Sequence, residues 1–396
     1  MSSPRALVLT GDVGMGHHVV TEVVAASLSQ MGWSTEVLDC MGLLGHPYAR
    51  AADWVFRRLT AMPALYDAIH FSHFRTGSRL AMAMDRAATA RLVPALTAYV
   101  ADDEVEVIVS TFATGASAIG KLASGAKLRR TPATVALCTD VCPHSLWVRE
   151  GLHLFLVTSA AAAAAVRRYS PAPPIAVVPA PVRRAFHDAP SQLEARLSVG
   201  VDPAARCVLL MGGGWGLGPL AETADALGRR GVVVLAVAGH NSQQAQALAA
   251  IADRVPSVVP YGFTDRIPEL MAAADLVLTT PGATTCSEAR VVGRPLVLLD
   301  VMPGHGRDNV QHELELGDAD VCDPHPGRLV DCVLGALERV APLDARRPAP
   351  DRFTEELADA LSMVGILPST PVRRASSAPG EPAVPAAPRS RSKEVL

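Results

Sequence analysis

The hydrophobic residues of this chain fall into short, nearly continuous runs, separated by glycine loops and by stretches with helical spacing. Ala6–Thr10 is the first run; it enters Gly11-Asp12-Val13-Gly14-Met15-Gly16-His17-His18, a helical pattern follows from Val19 to Met31, and a second run comes at Glu36-Val37-Leu38. The same grammar returns about 200 residues later, with the run Cys207–Met211, the loop Gly212-Gly213-Gly214-Trp215-Gly216-Leu217-Gly218, a helix over Pro219–Arg230 and a run at Val232–Ala238. Short apolar runs fit strands covered on both faces, and strand, glycine loop, helix, strand is the opening of a doubly wound parallel sheet. Val105–Val109, Thr134–Leu137 and Leu154–Val157 extend the first sheet, and Leu276–Thr279 and Leu296–Leu299 the second. The expected fold class is α/β, two Rossmann-like domains in tandem. Residues 1–186 form the first domain, 187–204 a polar, proline-containing linker, 205–345 the second domain, 346–367 a last helix and 368–396 a disordered tail.

A length of 396 residues suits two domains, and 49% hydrophobic against 19% charged residues excludes a wholly disordered chain. A formal net charge of −3 leaves no global field for nucleic acid, so no nucleic-acid partner is expected. Seven cysteines without framework spacing suggest a reducing compartment and mostly buried free thiols. The opening apolar run is too short for a signal-peptide core, and no stretch has the length and apolarity of a membrane span, which points to the cytoplasm. Past Leu367 prolines, serines and basic residues dominate, a composition that cannot bury a core.

The first loop carries the clearest chemistry. Its glycines, Gly11, Gly14 and Gly16, do not fit the dinucleotide fingerprint, although Asp39 stands where a dehydrogenase keeps its ribose acid. His17 sits where a pyrophosphate loop would want a small residue. A helix N-terminus lowers a histidine's pKa, keeping it neutral and able to act as a base. The second loop suits a diphosphate resting on a helix start. A third helix start, Pro281-Gly282-Ala283-Thr284-Thr285-Cys286-Ser287-Glu288, offers amides and hydroxyls to phosphate and a carboxylate to a ribose diol. Asp140 ends a strand, at the crevice where such sheets bind ligands. Cys138, Cys142 and His144 have poor spacing for a metal, and Asp318-x-Asp320 reads as a polar turn, so no metal is expected.

Val208–Pro219 resembles the matching stretch of monogalactosyldiacylglycerol synthases nearly residue for residue, and Gly262-Phe263, Ala274-Asp275, Gly282–Glu288, Gly293-Arg294-Pro295 and Pro303-Gly304 with Asn309-Val310 follow in that family's order. Gly14–His17, Thr139-Asp140, His144, Trp147 and Pro181-Val182-Arg183 agree more loosely, and the resemblance covers about residues 6–340. Gly282–Glu288 is also similar to the enzyme that makes lipid II of peptidoglycan. The resemblance implies an inverting GT-B glycosyltransferase with a cleft between its domains, a UDP-sugar as co-substrate, no cofactor and no metal. By that resemblance His17 is the general base, and Asp140 an acceptor-side acid that could assist or replace it. Arg183 reaches the diphosphate; Gly213, Gly214, Gly216, Gly282, Thr284 and Thr285 line the phosphates; Phe263 and Thr264 contact the uracil; Glu288 holds the ribose. His305 and Asn309 fall where the donor hexose is read, but His305-Gly306 replaces the family's Gln-Glu, which leaves the sugar open.

Six of the chain's few aromatics lie between Tyr48 and Phe74, and Arg50–Val100 carries seven arginines against three acids. Trp54, Phe56, Arg57, Arg58, Phe71 and Phe74 suit either an interfacial element on anionic lipid or an ordinary helical insertion. A lipid acceptor of the diacylglycerol type favours the first, with peripheral contact at the inner face of the cell membrane. Other functions stay open: the same fold acting on a soluble natural product, a UDP-sugar epimerase, an NAD enzyme, or a binding protein without catalysis.

Overall fold

The computed structural model describes residues 4–11, 15–45, 50, 62–74, 78–101, 104–125, 128, 130–169, 172–299, 301, 304–317, 319–323, 325–340 and 347–368. The first domain runs β1 (Arg5–Thr10), α1 (Met15–Met31), β2 (Ser34–Asp39), α2 (Cys40–Leu44), α3 (Pro63–Ile69) with a π-helical turn His70–Phe74, α4 (Arg79–Tyr99), β3 (Val105–Ser110), α5 (Ala113–Gly125), β4 (Ala133–Cys138), β5 (Leu154–Val157), α6 (Ala160–Val166) and β6 (Ile175–Val177). The second continues through α7 (Arg184–His187), α8 (Gln192–Val199), β7 (Cys207–Met211), α9 (Leu220–Gly228), β8 (Val233–Val237), α10 (Ser242–Ala252), β9 (Val258–Tyr261), α11 (Ile267–Ala273), β10 (Leu276–Thr279), α12 (Ala283–Val292), β11 (Leu296–Leu299), α13 (His305–Leu316), β12 (Ala319–Cys322) and α14 (Pro326–Arg339). A last helix, α15, spans Phe353–Met363.

Each domain has a six-stranded sheet, ordered β2-β1-β3-β4-β5-β6 and β12-β11-β10-β7-β8-β9, with every pairing parallel. The central strands β1, β3, β4, β5, β7, β10 and β11 are buried almost throughout, which is why they read as continuous apolar runs. Strand order reverses between β1 and β3 in one sheet and between β7 and β10 in the other. Loops diverge there and leave a crevice at the carboxyl ends of the strands.

Three findings revise the expectations from sequence. Residues 187–204 do not form a free linker. Ser191 and Glu194 make a capping box, Gly200 closes α8 in a left-handed conformation, and Arg196 is buried against Asp275 at 2.7 Å. Polar residues that suggest a linker are therefore caps and one buried ion pair, and Ala195 and Val201 join the core beneath β7. Secondly, α15 crosses back to the first domain, where Phe353, Leu357, Ala360 and Leu361 pack with Val20, Val24 and Leu28 of α1. Thirdly, Cys322 and Cys332 form a disulfide between β12 and α14, whereas Cys40, Cys138, Cys207 and Cys286 are buried free thiols and Cys142 is a half-buried one.

Candidate functional site

The two switch points face each other. At the first, α1 starts at Met15, so His17 and His18 stand in its opening turn. His17 Nδ1 lies 2.9 Å from the Thr111 carbonyl oxygen, just past β3. A carbonyl can only accept, so Nδ1 carries the proton and Nε2 presents its lone pair. The Phe112 ring meets the imidazole edge-on at 5.4 Å, and Gly11 leaves the space that this ring fills. Burial lowers the His17 pKa from 6.5; the Asp140 charge and the Thr111 carbonyl oppose the shift, and His18 adds a little to it. The imidazole is thus held neutral at pH 7. Asp140, just past β4, accepts 2.9 Å from Nε1 of the buried Trp147, which fixes its carboxylate. His144 Nδ1 accepts from the Leu146 amide at 3.3 Å, so it shapes the turn leading to that tryptophan.

At the second switch point the glycine loop after β7 folds back on itself. Leu217 N donates to Gly212 O at 2.8 Å, and Gly213 and Gly216 have φ of +66° and +57°. A Cβ on Gly216 would overlap the Ala238 carbonyl, so this turn demands glycine. His240 N, from the loop after β8, donates to Gly214 O at 2.9 Å, and the His240 ring stacks on Phe263 at 4.1 Å, tilted by 16°. Phe263 is 54% exposed, an unusual place for a large aromatic. Thr264 Oγ1 accepts from Arg266 N at 3.2 Å.

Gly282 caps α12 without a side-chain hydrogen bond, leaving the first amides of that helix to a ligand, with Thr284 and Thr285 in its first turn. A Cβ placed on Gly16 would stand 3.1 Å from Thr284 Oγ1, so the starts of α1 and α12 meet across the domain boundary. One turn further along α12, Glu288 is 5% exposed and lies 3.7 Å from Arg183. Burial pushes its carboxyl up to about 7, against the pull of the arginine. Arg183 reaches over Phe186, and its buried Nε has no hydrogen-bond partner among the described residues. A buried donor of this kind awaits an acceptor.

Of the remaining residues singled out from sequence, some have partners within the protein and others lie outside the described residues. Asn309 Nδ2 donates to Pro281 O at 2.8 Å, which ties α13 to the start of α12 and commits that amide to the protein. Asp39, weighed as a ribose acid, accepts from Met41 N and Gly42 N and caps α2. Asp320 lies on edge strand β12 and pairs with Arg339 at 2.5 Å. Trp54, Phe56, Arg57 and Arg58 lie outside the described residues, as do the side chains of Phe74 and His305. Phe71 is half-buried, edge-on to His70 at 5.1 Å. Sequence reading missed Thr111 and His240. Both stand at carboxyl ends of strands beside a switch point, and that position was the available signal.

Residues 219–322 match the model of the glycosyltransferase family 28 C-terminal domain. The chain as a whole is similar to monogalactosyldiacylglycerol synthases. It is 26% identical to the chloroplastic monogalactosyldiacylglycerol synthase of Spinacia oleracea over 336 residues, which is 80% of this chain and 63% of the spinach protein. A processive diacylglycerol beta-glucosyltransferase of Bacillus licheniformis is 27% identical over 196 residues, 48% of this chain and 51% of that protein. The chain therefore spans less than two thirds of either relative. The crystal structure of Acinetobacter baumannii MurG superposes with a TM-score of 0.57 over 91% of this chain and all of its own, at 15% identity. The architecture is GT-B, with its two sheets and the cleft between them.

Proposed function

We propose that this glycosyltransferase family 28 chain transfers a hexose from a UDP-sugar to the hydroxyl of a diacylglycerol-type lipid, with inversion at the anomeric carbon. The observation that carries the reading is His17, neutral, with Nε2 unprotonated at the helix start that faces the start of α12. In the proposed step Nε2 takes the acceptor proton as that oxygen attacks the anomeric carbon, while the bond from that carbon to the UDP oxygen breaks. Negative charge then gathers on the leaving diphosphate. The free amides of α12, the glycine loop and Arg183 meet that charge, so no metal is needed. Glu288 accepts from the ribose diol, and Phe263 with His240 provides a flat face for the uracil. General-base help of this kind contributes roughly 10²–10⁴-fold. Asp140 orients the field around His17 and stabilises the imidazolium once it forms.

Access to a lipid is the second requirement. Among the described residues no helix is long and apolar enough to cross a membrane. Instead α4 exposes Leu80 and Met84, 61% and 60% accessible, on one face with Ala87 and flanked by exposed Arg79, Arg86 and Arg91. That pattern suits peripheral contact with an anionic bilayer.

The decisive experiment gives the purified protein a panel of UDP-sugars with diacylglycerol liposomes and identifies products by mass spectrometry. A hexosyl diacylglycerol is expected. Free hexose isomers without a glycolipid would establish an epimerase, and transfer only to soluble aglycones would sink the lipid reading.

A further inference from the structure

The two domains touch at a place that the proposed chemistry does not use. Helix α3 of the first domain presents Asp67 to the turn that starts α13 in the second. Asp67 Oδ1 accepts from Gly304 N at 2.6 Å, and Oδ2 pairs with Arg307 at 3.0 Å. One turn along, His70 Nε2 stands 3.7 Å from Asp308. Gly304 is buried and has φ +67°, ψ −119°, a conformation that excludes side chains, and Gly306 follows two residues later. Such a turn holds little shape of its own. Its far side is tied by Asn309 to Pro281 O at the start of α12, where the leaving diphosphate is placed. The start of α13 is thus clamped between the donor helix on one side and a carboxylate from the opposite domain on the other.

We propose that Asp67 is a positioning residue for the sugar end of the donor: it holds the Gly304–Arg307 turn across the cleft, so that the hexose pocket is complete only when the acceptor domain is closed upon it. The inference rests on the UDP-sugar reading above. Chemistry supports the division of labour. On that reading UDP is held by α12, the glycine loop, Glu288 and Arg183, whereas the bonds of Asp67 run to Gly304 and Arg307 in the turn before α13. Only the hexose, at the outer end of the diphosphate, depends on the turn. Helix α3 also exposes Leu65 on its other face, with Met62 just before it, so the clasp sits on an element open to the surface.

The test compares Asp67→Ala and Asp67→Asn with the wild type. Calorimetry measures affinity for UDP and for the UDP-hexose that the wild type uses, transfer gives kcat and KM, and hydrogen exchange reports on residues 304–309. Asp67→Ala is expected to weaken UDP-hexose about tenfold or more while UDP changes less than about twofold, with faster exchange in the turn. Asp67→Asn keeps an acceptor for Gly304 N and should lose less. Equal weakening of UDP and UDP-hexose would reduce Asp67 to a structural contact and overturn the proposal. Unchanged UDP-hexose affinity with unchanged exchange would also overturn it, with the UDP-sugar reading intact. A wild type that binds no UDP removes that reading and the sugar-end role together.

Discussion

The Arg183 guanidinium stands 3.7 Å from the Glu288 carboxylate, the arginine one third exposed and the glutamate buried. That distance is too long for a close charge-assisted hydrogen bond, and the attraction does not offset dehydration of the acid. Glu288 therefore titrates at about 7. The buried Arg183 Nε is left without a hydrogen-bond partner among the described residues, which is the state expected of a pair waiting for a ribose diol and a diphosphate.

Donor binding should consequently depend on pH. The ribose hydroxyls donate, so the carboxylate form binds. Raising pH from 6 to 8 takes a group of pKa about 7 from roughly one tenth to nine tenths ionised, which should tighten UDP-hexose by up to about tenfold. A UDP-hexose is the right probe, because its diphosphate diester does not titrate in this window. Glu288→Gln should bind weakly at both values. Stability runs the other way. A folded pKa near 7, above the ordinary carboxylate value of 4.5, means that the folded state holds the proton more tightly, so this contribution is fully present below 4.5 and is lost as pH rises through 7. Glu288→Gln should therefore be more stable than wild type at pH 8, by roughly 1–3 kcal/mol, and near parity at pH 4.5. Denaturant melts at the two pH values check the sign.

His17→Ala should lower kcat by about 10²–10⁴-fold with UDP affinity unchanged. Since burial holds the imidazole pKa below 6.5, kcat at saturating donor should have its acid limb below that of an ordinary histidine, whatever Glu288 does to donor affinity. Asp140 raises that pKa, so Asp140→Asn should shift the acid limb to still lower pH while retaining measurable turnover. Abolition of turnover in Asp140→Asn, with His17→Ala active, would make Asp140 the base.

Gly216 has φ +57°, and its missing Cβ leaves room for the Ala238 carbonyl. Gly216→Ala should destabilise the second domain by about 1–3 kcal/mol and weaken UDP, because the loop must open to relieve the overlap. Gly282 has φ −82° and open space where a Cβ would stand. Gly282→Ala should accordingly melt close to wild type, so any loss of UDP affinity there reports on the ligand's own approach. Thermal melts and UDP titration of both variants separate backbone strain from ligand contact.

What the sequence made legible follows from burial. Central strands such as Val105–Ser110 and Cys207–Met211 are covered on both faces and leave an unbroken apolar run. The edge strands do not. β9 contains Pro260, which an edge position tolerates, β6 has three residues, and β12 mixes charge with apolar residues. Among the residues that a motif places, Glu288 lies 3.7 Å from Arg183, and the helix start that carries His17 meets that of α12 through Gly16 and Thr284. Asp67 could not be read, because a carboxylate on a short surface helix has no periodicity or spacing that points to a turn 237 residues away. The destination of α15 was equally hidden, since an amphipathic helix does not specify which domain covers its apolar face.

The exposed face of α4 supplies a test independent of the donor site. Leu80, Met84 and Ala87 recur at helical spacing on one side, with Arg79, Arg86 and Arg91 beside them, and the apolar side chains of Leu80 and Met84 lie mostly in water. Burying two such side chains in the interfacial region of a bilayer gains on the order of 1 kcal/mol each, and a carboxylate there reverses the sign. The double variant Leu80→Asp with Met84→Asp should partition at least about tenfold less onto vesicles containing phosphatidylglycerol. Neither residue belongs to the core, so thermal stability and UDP affinity should stay at wild-type values. Sedimentation with the vesicles reads the partition, and added salt should weaken the wild type in turn, because three exposed arginines are screened. If the variant pellets with vesicles as well as the wild type does, the face of α4 is not the membrane contact. The lipid would then have to be met by another surface of the acceptor domain.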